Sequence, residues 1–192
     1  MPHLPSLPDN ASLIEVYKAH PAVAAAALAL NDAVMRQPAP FSAAEREAIA
    51  AFVSTINACQ YCTGLHSGAA SKLGMNDVSV EAICKRPEAP DDPRLVPVLA
   101  YVAKLTTEPA SVTKDDVARI LDAGWDEAAV SFAAFIAGLY AFMNRIVDGH
   151  GIRADAAAVE AGGTRLAEVG YAGIAEILAG QPSKTPSERS ED

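Results

Sequence analysis

An all-α fold is what this chain of 192 residues predicts. Its composition is 51% hydrophobic but only 6% aromatic, and much of the apolar share is alanine, the best helix former. No segment alternates apolar and polar residues long enough to make a sheet strand. Helix starts and stops recur along the chain instead.

The proline-rich start ends near Asn10, and residues 11–19 form a short helix. Pro21 has no amide proton to leave unpaired, so it suits the first turn of a second helix running to Met35. Gln37-Pro38-Ala39-Pro40 is a break. Ser42-Ala43-Ala44-Glu45 has the capping-box pattern, in which each side chain satisfies an orphan backbone donor. The helix it opens carries Ile49, Phe52, Val53 and Ile56, with Glu47 in its early turns. Asn57-Ala58 marks a bend, Cys59 opens the next helix, and Gly74 ends it as a left-handed cap.

A connecting stretch with Pro87, Pro90 and Pro93 follows, and Asp92-Pro93 reads as N-cap and first position of a helix to Thr106. Thr113-Lys114-Asp115-Asp116 starts a short helix that ends before Gly124. Residues 126–147 form the longest apolar helix, with Val130, Phe132, Phe135, Ile136, Leu139, Tyr140 and Met143 nearly all round it. That pattern fits a central buried helix or a subunit contact. Trp125, Phe132, Phe135 and Phe142 read as core, Asn144 and Arg145 close the helix, and His150 reads as a surface group. Two weaker helical patterns span 154–161 and 164–179, and the polar residues 181–192, with two prolines, read as a disordered tail. Residues 1–180 are read as one helical domain: an extension over 1–40, a motif core over 40–75 and C-terminal helices over 93–180.

The net charge of −9 and the lack of a basic cluster argue against nucleic acid as a partner. The longest uninterrupted apolar run, Ala22 to Leu30, is far short of the roughly 20 residues of a membrane span. The start of the chain lacks the basic and apolar regions of a signal peptide. The expectation is a cytoplasmic protein without a membrane partner. Thiols stay reduced there, so paired cysteines point to catalysis or metal binding before a structural disulfide.

Chemistry gathers in Cys59-Gln60-Tyr61-Cys62 and His66, while Cys84 reads as a small half-buried hydrophobe. Side chains three and four apart share a helix face, so Cys59, Cys62 and His66 form one stripe. A thiolate is favoured at a helix N-terminus, which serves Cys59, and beside an imidazolium, which serves Cys62. One thiolate attacking a peroxide oxygen becomes a sulfenic acid, and the second thiol condenses with it to a disulfide. Cys62, four residues before His66, is taken as the attacking thiol and Cys59 as the resolving one. On one continuous helix Glu47 would lie roughly 18 Å from Cys59. A bend at Asn57-Ala58 instead packs the two helices side by side and brings Glu47 to His66, as carboxylates orient histidines elsewhere. The same four residues could alternatively hold a metal.

The run Glu47-x11-Cys59-Gln60-Tyr61-Cys62-x3-His66, within Ala58-Cys59-Gln60-Tyr61-Cys62-Thr63-Gly64-Leu65-His66, resembles the alkylhydroperoxidase AhpD-like family of the carboxymuconolactone decarboxylase superfamily. Chain length and the later helices resemble its peroxidase-related branch. The resemblance implies an AhpD-like helical bundle assembled as trimers or hexamers. It also implies a hydroperoxide substrate, a thiol reductant or reductase protein as partner, and no organic cofactor or metal. Cys59 and Cys62 would be the redox pair, and Glu47 and His66 a proton relay. The best-known members carry a histidine just before the second cysteine, where this chain has Tyr61, a candidate either for lining a pocket or for packing. Other readings are a decarboxylase or lactone-processing enzyme of the superfamily, and a thiol-disulfide exchange or redox-sensing protein without peroxide turnover.

Overall fold

The computed structural model describes residues 2–180, and among them every regular element is helical. The helices are α1 (Leu13–Ala19), α2 (Pro21–Met35), α3 (Ala43–Ile56), α4 (Gln60–Lys72), α5 (Asp77–Lys85), α6 (Leu95–Thr107), α7 (Lys114–Asp122), α8 (Glu127–Gly149) and α9 (Ala156–Leu178). A single 3-10 turn, Pro109–Ser111, joins α6 to α7. The expected all-α class is what the chain adopts. The polar residues 181–192, expected as a tail, lie outside the described residues.

Local chemistry explains most boundaries. Ser42 accepts from the Glu45 amide while the Glu45 carboxylate accepts from the Ser42 amide, the reciprocal pair the sequence predicts. Ser12 with Glu15 and Thr113 with Asp116 repeat the device at α1 and α7. Between α3 and α4 the chain turns at Asn57-Ala58, and Ala58 takes a left-handed φ of 58°. Cys59 follows as the N-cap of α4, and Gly74, at φ 108°, terminates the turn after it.

Four expectations are corrected. Residues 77–85, read as a connection, form α5, capped by Asn76, whose side chain accepts from the Ser79 amide at 2.9 Å. Asp92-Pro93 does not begin α6, because Asp92 instead accepts from the Arg94 amide in a turn and the helix starts at Leu95. The two weak C-terminal helices are one run through Gly162 and Gly163, interrupted instead at Gly170, where φ is 65°. A Cβ on Gly163 would sit 2.9 Å from the Leu65 carbonyl oxygen, so glycine lets α9 close on the α4 backbone and stay helical there. Finally, Phe135 and Phe142 are not core: they are 56% and 45% exposed.

The core lies where α3 meets α4, α8 and α6, while α2 and α9 pack across it. Its middle, Ala48 to Ala51 and Val53 on α3, is fully buried. α8 is long and apolar enough by composition to cross a membrane, a property that counting uninterrupted runs misses. It buries Ala133, Ile136, Tyr140 and Asn144 on one side against the protein. The consequence for the site is simple: α3 supplies a buried face, and α4 returns antiparallel along it from the bend at Ala58.

Candidate active site

Glu47 lies on the buried face of α3, and none of its surface is exposed. His66, two turns into α4 from Cys59, meets it: His66 Nδ1 lies 2.5 Å from Glu47 Oε2. The carboxylate fixes the proton on Nδ1 and leaves the other ring nitrogen for a reacting group. The bend expected from sequence thus closes the gap that a straight helix would have kept.

Three further residues hold this pair: Arg36 and Tyr171, which sequence reading did not single out, and Tyr140, read there only as part of the long apolar helix. Arg36, at the end of α2, places its guanidinium 2.6 Å from Glu47 Oε1 and lies over the Tyr171 ring at 4.9 Å. The Tyr171 hydroxyl donates to Glu47 Oε1 at 3.1 Å, and Tyr140 reaches the Tyr171 hydroxyl at 2.7 Å. Since Tyr171 spends its proton on Glu47, Tyr140 donates to Tyr171. The Tyr140 ring also stands edge-on to His66, with centroids 4.5 Å apart. Burial pushes the Glu47 carboxyl up, but the charge and hydrogen bond of His66, and then of Arg36, outweigh it and hold its pKa below the ordinary value. Glu47 is therefore a stable buried anion.

Both Cys59 and Cys62 are free thiols and both are buried. They are near each other, and the Cys62 thiol and backbone amide beside the Cys59 sulfur favour its thiolate. Cys62 lowers the Cys59 pKa against burial and against Asp148, which lies alongside. The Cys62 thiol is pushed well up, first by the neighbouring Cys59 sulfur, then by burial and the Cys59 charge, with Asn144 opposing. Cys59 is thus the more acidic thiol, as its N-cap position favours. His66 is not among the main influences on the Cys62 thiol, although spacing suggested that it would be. Asn144 is buried on α8 and is itself positioned by Ser54, to which it donates at 3.0 Å, and by Asn57, from which it accepts at 2.9 Å.

A cavity of about 350 Å³ opens beside these groups, walled by α1, α2, α4, α8 and α9. Cys62, His66 and Tyr61 line it, whereas Cys59 does not. Tyr61 is therefore a wall residue, and burial raises its hydroxyl to about 12, which keeps it a proton donor at neutral pH. Among the described residues no group of three or more His, Cys, Asp or Glu side chains gathers as a metal site, so the alternative reading of Glu47, Cys59, Cys62 and His66 as four ligands has no geometric support. Cys84 is half-buried in a separate open groove beside Ser67 and Lys85.

The model of the carboxymuconolactone decarboxylase family matches residues 21–104, the segment that carries Arg36, Glu47, both cysteines and His66. A crystal structure of an uncharacterized peroxidase-related protein from Silicibacter sp. TM1040 superposes with a TM-score of 0.70 at 25% identity, covering 76% of each chain. An alkylhydroperoxidase AhpD core protein from Ralstonia eutropha JMP134, also described as peroxidase-related, gives 0.71 at 21% identity over 78% of each chain. No curated protein matches the sequence. The chain thus shares its helical fold with these two proteins, and its residues 21–104 are similar to the carboxymuconolactone decarboxylase family.

Proposed function

We propose that this protein is a dithiol peroxidase that reduces hydroperoxides with Cys59 and Cys62. The observation that carries the reading is the placement of Cys62, with the buried thiol of Cys59 near it, beside a histidine on a buried carboxylate at the wall of one apolar cavity. A decarboxylase would have no use for two thiols in that relation.

Cys62 attacks, because it alone of the pair lines the cavity. Its proton passes to the Cys59 thiolate as its sulfur takes the distal oxygen of ROOH, and the O–O bond breaks to leave RO⁻. His66 relays a solvent proton to that oxygen, giving ROH. Cys59 then displaces hydroxide from the Cys62 sulfenic acid, its proton leaves with the hydroxide as water, and a disulfide forms. The sum is two thiols and ROOH giving a disulfide, ROH and H₂O. A thiol reductant or reductase protein restores the pair, and the working form is a homo-oligomer in the cytoplasm.

Hydroperoxide consumption with a dithiol reductant tests this. Cys59→Ser and Cys62→Ser should each reduce turnover to background, and mild peroxide should produce a Cys59–Cys62 disulfide detectable by mass spectrometry. Wild type turning over no faster than these variants would defeat the peroxidase reading. Disulfide formation without catalytic turnover would leave the thiol-exchange reading in its place.

A further inference from the structure

The same cavity has an uneven charge pattern. The protein carries 24 acidic residues and a net charge of −9, yet no carboxylate lines this wall. Its one permanently charged lining residue is Arg165 on α9, which is exposed and makes no ion pair among the described residues. Most of the wall is hydrocarbon, contributed by residues such as Ile14, Leu65, Met143 and Ile174. The polar groups around it are mostly engaged within the protein. Tyr17 donates to the Met143 sulfur, Tyr171 to Glu47, and the Asn31 amide to the Ala27 carbonyl.

A ligand here meets an apolar body, a reactive end at Cys62 and His66, and one guanidinium that makes no ion pair among the described residues. From these we infer that the substrate is an amphipathic monocarboxylate, whose apolar chain fills the cavity and whose carboxylate pairs with Arg165. The inference rests on the peroxidase reading for the reacting group, which is then a hydroperoxide on that chain. A guanidinium fork matches the two oxygens of a carboxylate. A dianionic phosphate would leave one charge unmatched in an acidic protein. The volume is ample for such a chain, since a cavity of about 150 Å³ already holds benzene. Reduction consumes the two thiols and the hydroperoxide as above, and the carboxylate takes no part in the electron transfer.

Binding of octanoate and methyl octanoate to the reduced full chain, measured by calorimetry, tests the anion site without any turnover. An exposed ion pair is worth about two- to fivefold in affinity, so octanoate should bind tighter by that factor at low salt. The ratio should shrink as salt rises. It should fall below one in Arg165→Ala, because the ester is the more apolar ligand, and lower still in Arg165→Glu, while Arg165→Lys keeps it above one. Equal binding in wild type, a preference that survives Arg165→Ala, or no binding of either probe would overturn the inference. A parallel assay compares a fatty-acid hydroperoxide with its methyl ester. If neither is turned over while the octanoate preference holds, the peroxidase reading fails and the anion site stands.

Discussion

Glu47 holds Arg36, His66 and Tyr171 at once from a position with no exposed surface, and its charge is the centre of the buried network. Glu47→Gln leaves Arg36 without its counter-charge, which should cost about 3–5 kcal/mol of stability at neutral pH, measurable by denaturant unfolding. The sign of its pH dependence follows from the depressed carboxyl. Stability from Glu47 is fully present above its unfolded value of about 4.5 and is lost as pH falls through its lower folded value. The gap between wild type and Glu47→Gln should therefore shrink below about pH 4.5. Arg36→Met removes one of the causes that lower the Glu47 pKa, so the acid limb of the turnover profile should move to higher pH, with Arg36→Lys closer to wild type. At this scale the sequence makes Cys59, Cys62, His66 and Glu47 legible, because they lie within one motif and a bend explains how they meet. Arg36 and Tyr171 are illegible: a guanidinium after a helix and a tyrosine in a glycine-rich helix carry no local signal, and only packing brings them to the same carboxylate. The relative acidity of the thiols is equally hidden, since it depends on which sulfur receives the other's proton.

α9 shows how glycines decide an element's course where propensity misleads. Two adjacent glycines suggest a break at 162–163, yet the helix continues there because its backbone rests on α4. Gly163→Ala drives a methyl to 2.9 Å from the Leu65 carbonyl, a backbone contact that cannot swing away. We expect about 1–3 kcal/mol of destabilisation by thermal or chemical unfolding. The true interruption at Gly170 turns the chain so that Tyr171, the next residue, reaches Glu47. Gly170→Ala forces an L-residue into the left-handed region and should cost about 1–2 kcal/mol, with turnover falling as Tyr171 leaves its carboxylate. Elements with a capping box ahead of them, such as α3 and α7, can be read from the chain because the signal is contained in four residues. α5 is short and lacks the reciprocal acid, so its cap by Asn76 is visible only once the fold is known.

For the molecule as a whole, the cavity is roofed by helices from the two ends of the chain, α1 and α9, over a floor made by the motif helix. The matched family segment, residues 21–104, thus ends before α8 and α9 and omits α1, so most of the wall lies outside it. Reactive groups and the shape that selects a substrate are in this sense separable. The proposed homo-oligomer is checked by light scattering: a mass near the 19.9 kDa of one chain would sink it, and the exposed Phe135 and Phe142 are the first positions to substitute if a larger mass is found. Ala58 has a further consequence. It holds a left-handed backbone that an L-residue enters only at about 1–2 kcal/mol, directly before the cysteine that caps α4. Ala58→Gly should raise the melting temperature modestly, yet it loosens the joint that lays α4 along α3 and brings His66 to Glu47. Robustness and reactivity are traded against each other at a single methyl group, and a protein evolved for endurance alone would have placed glycine there.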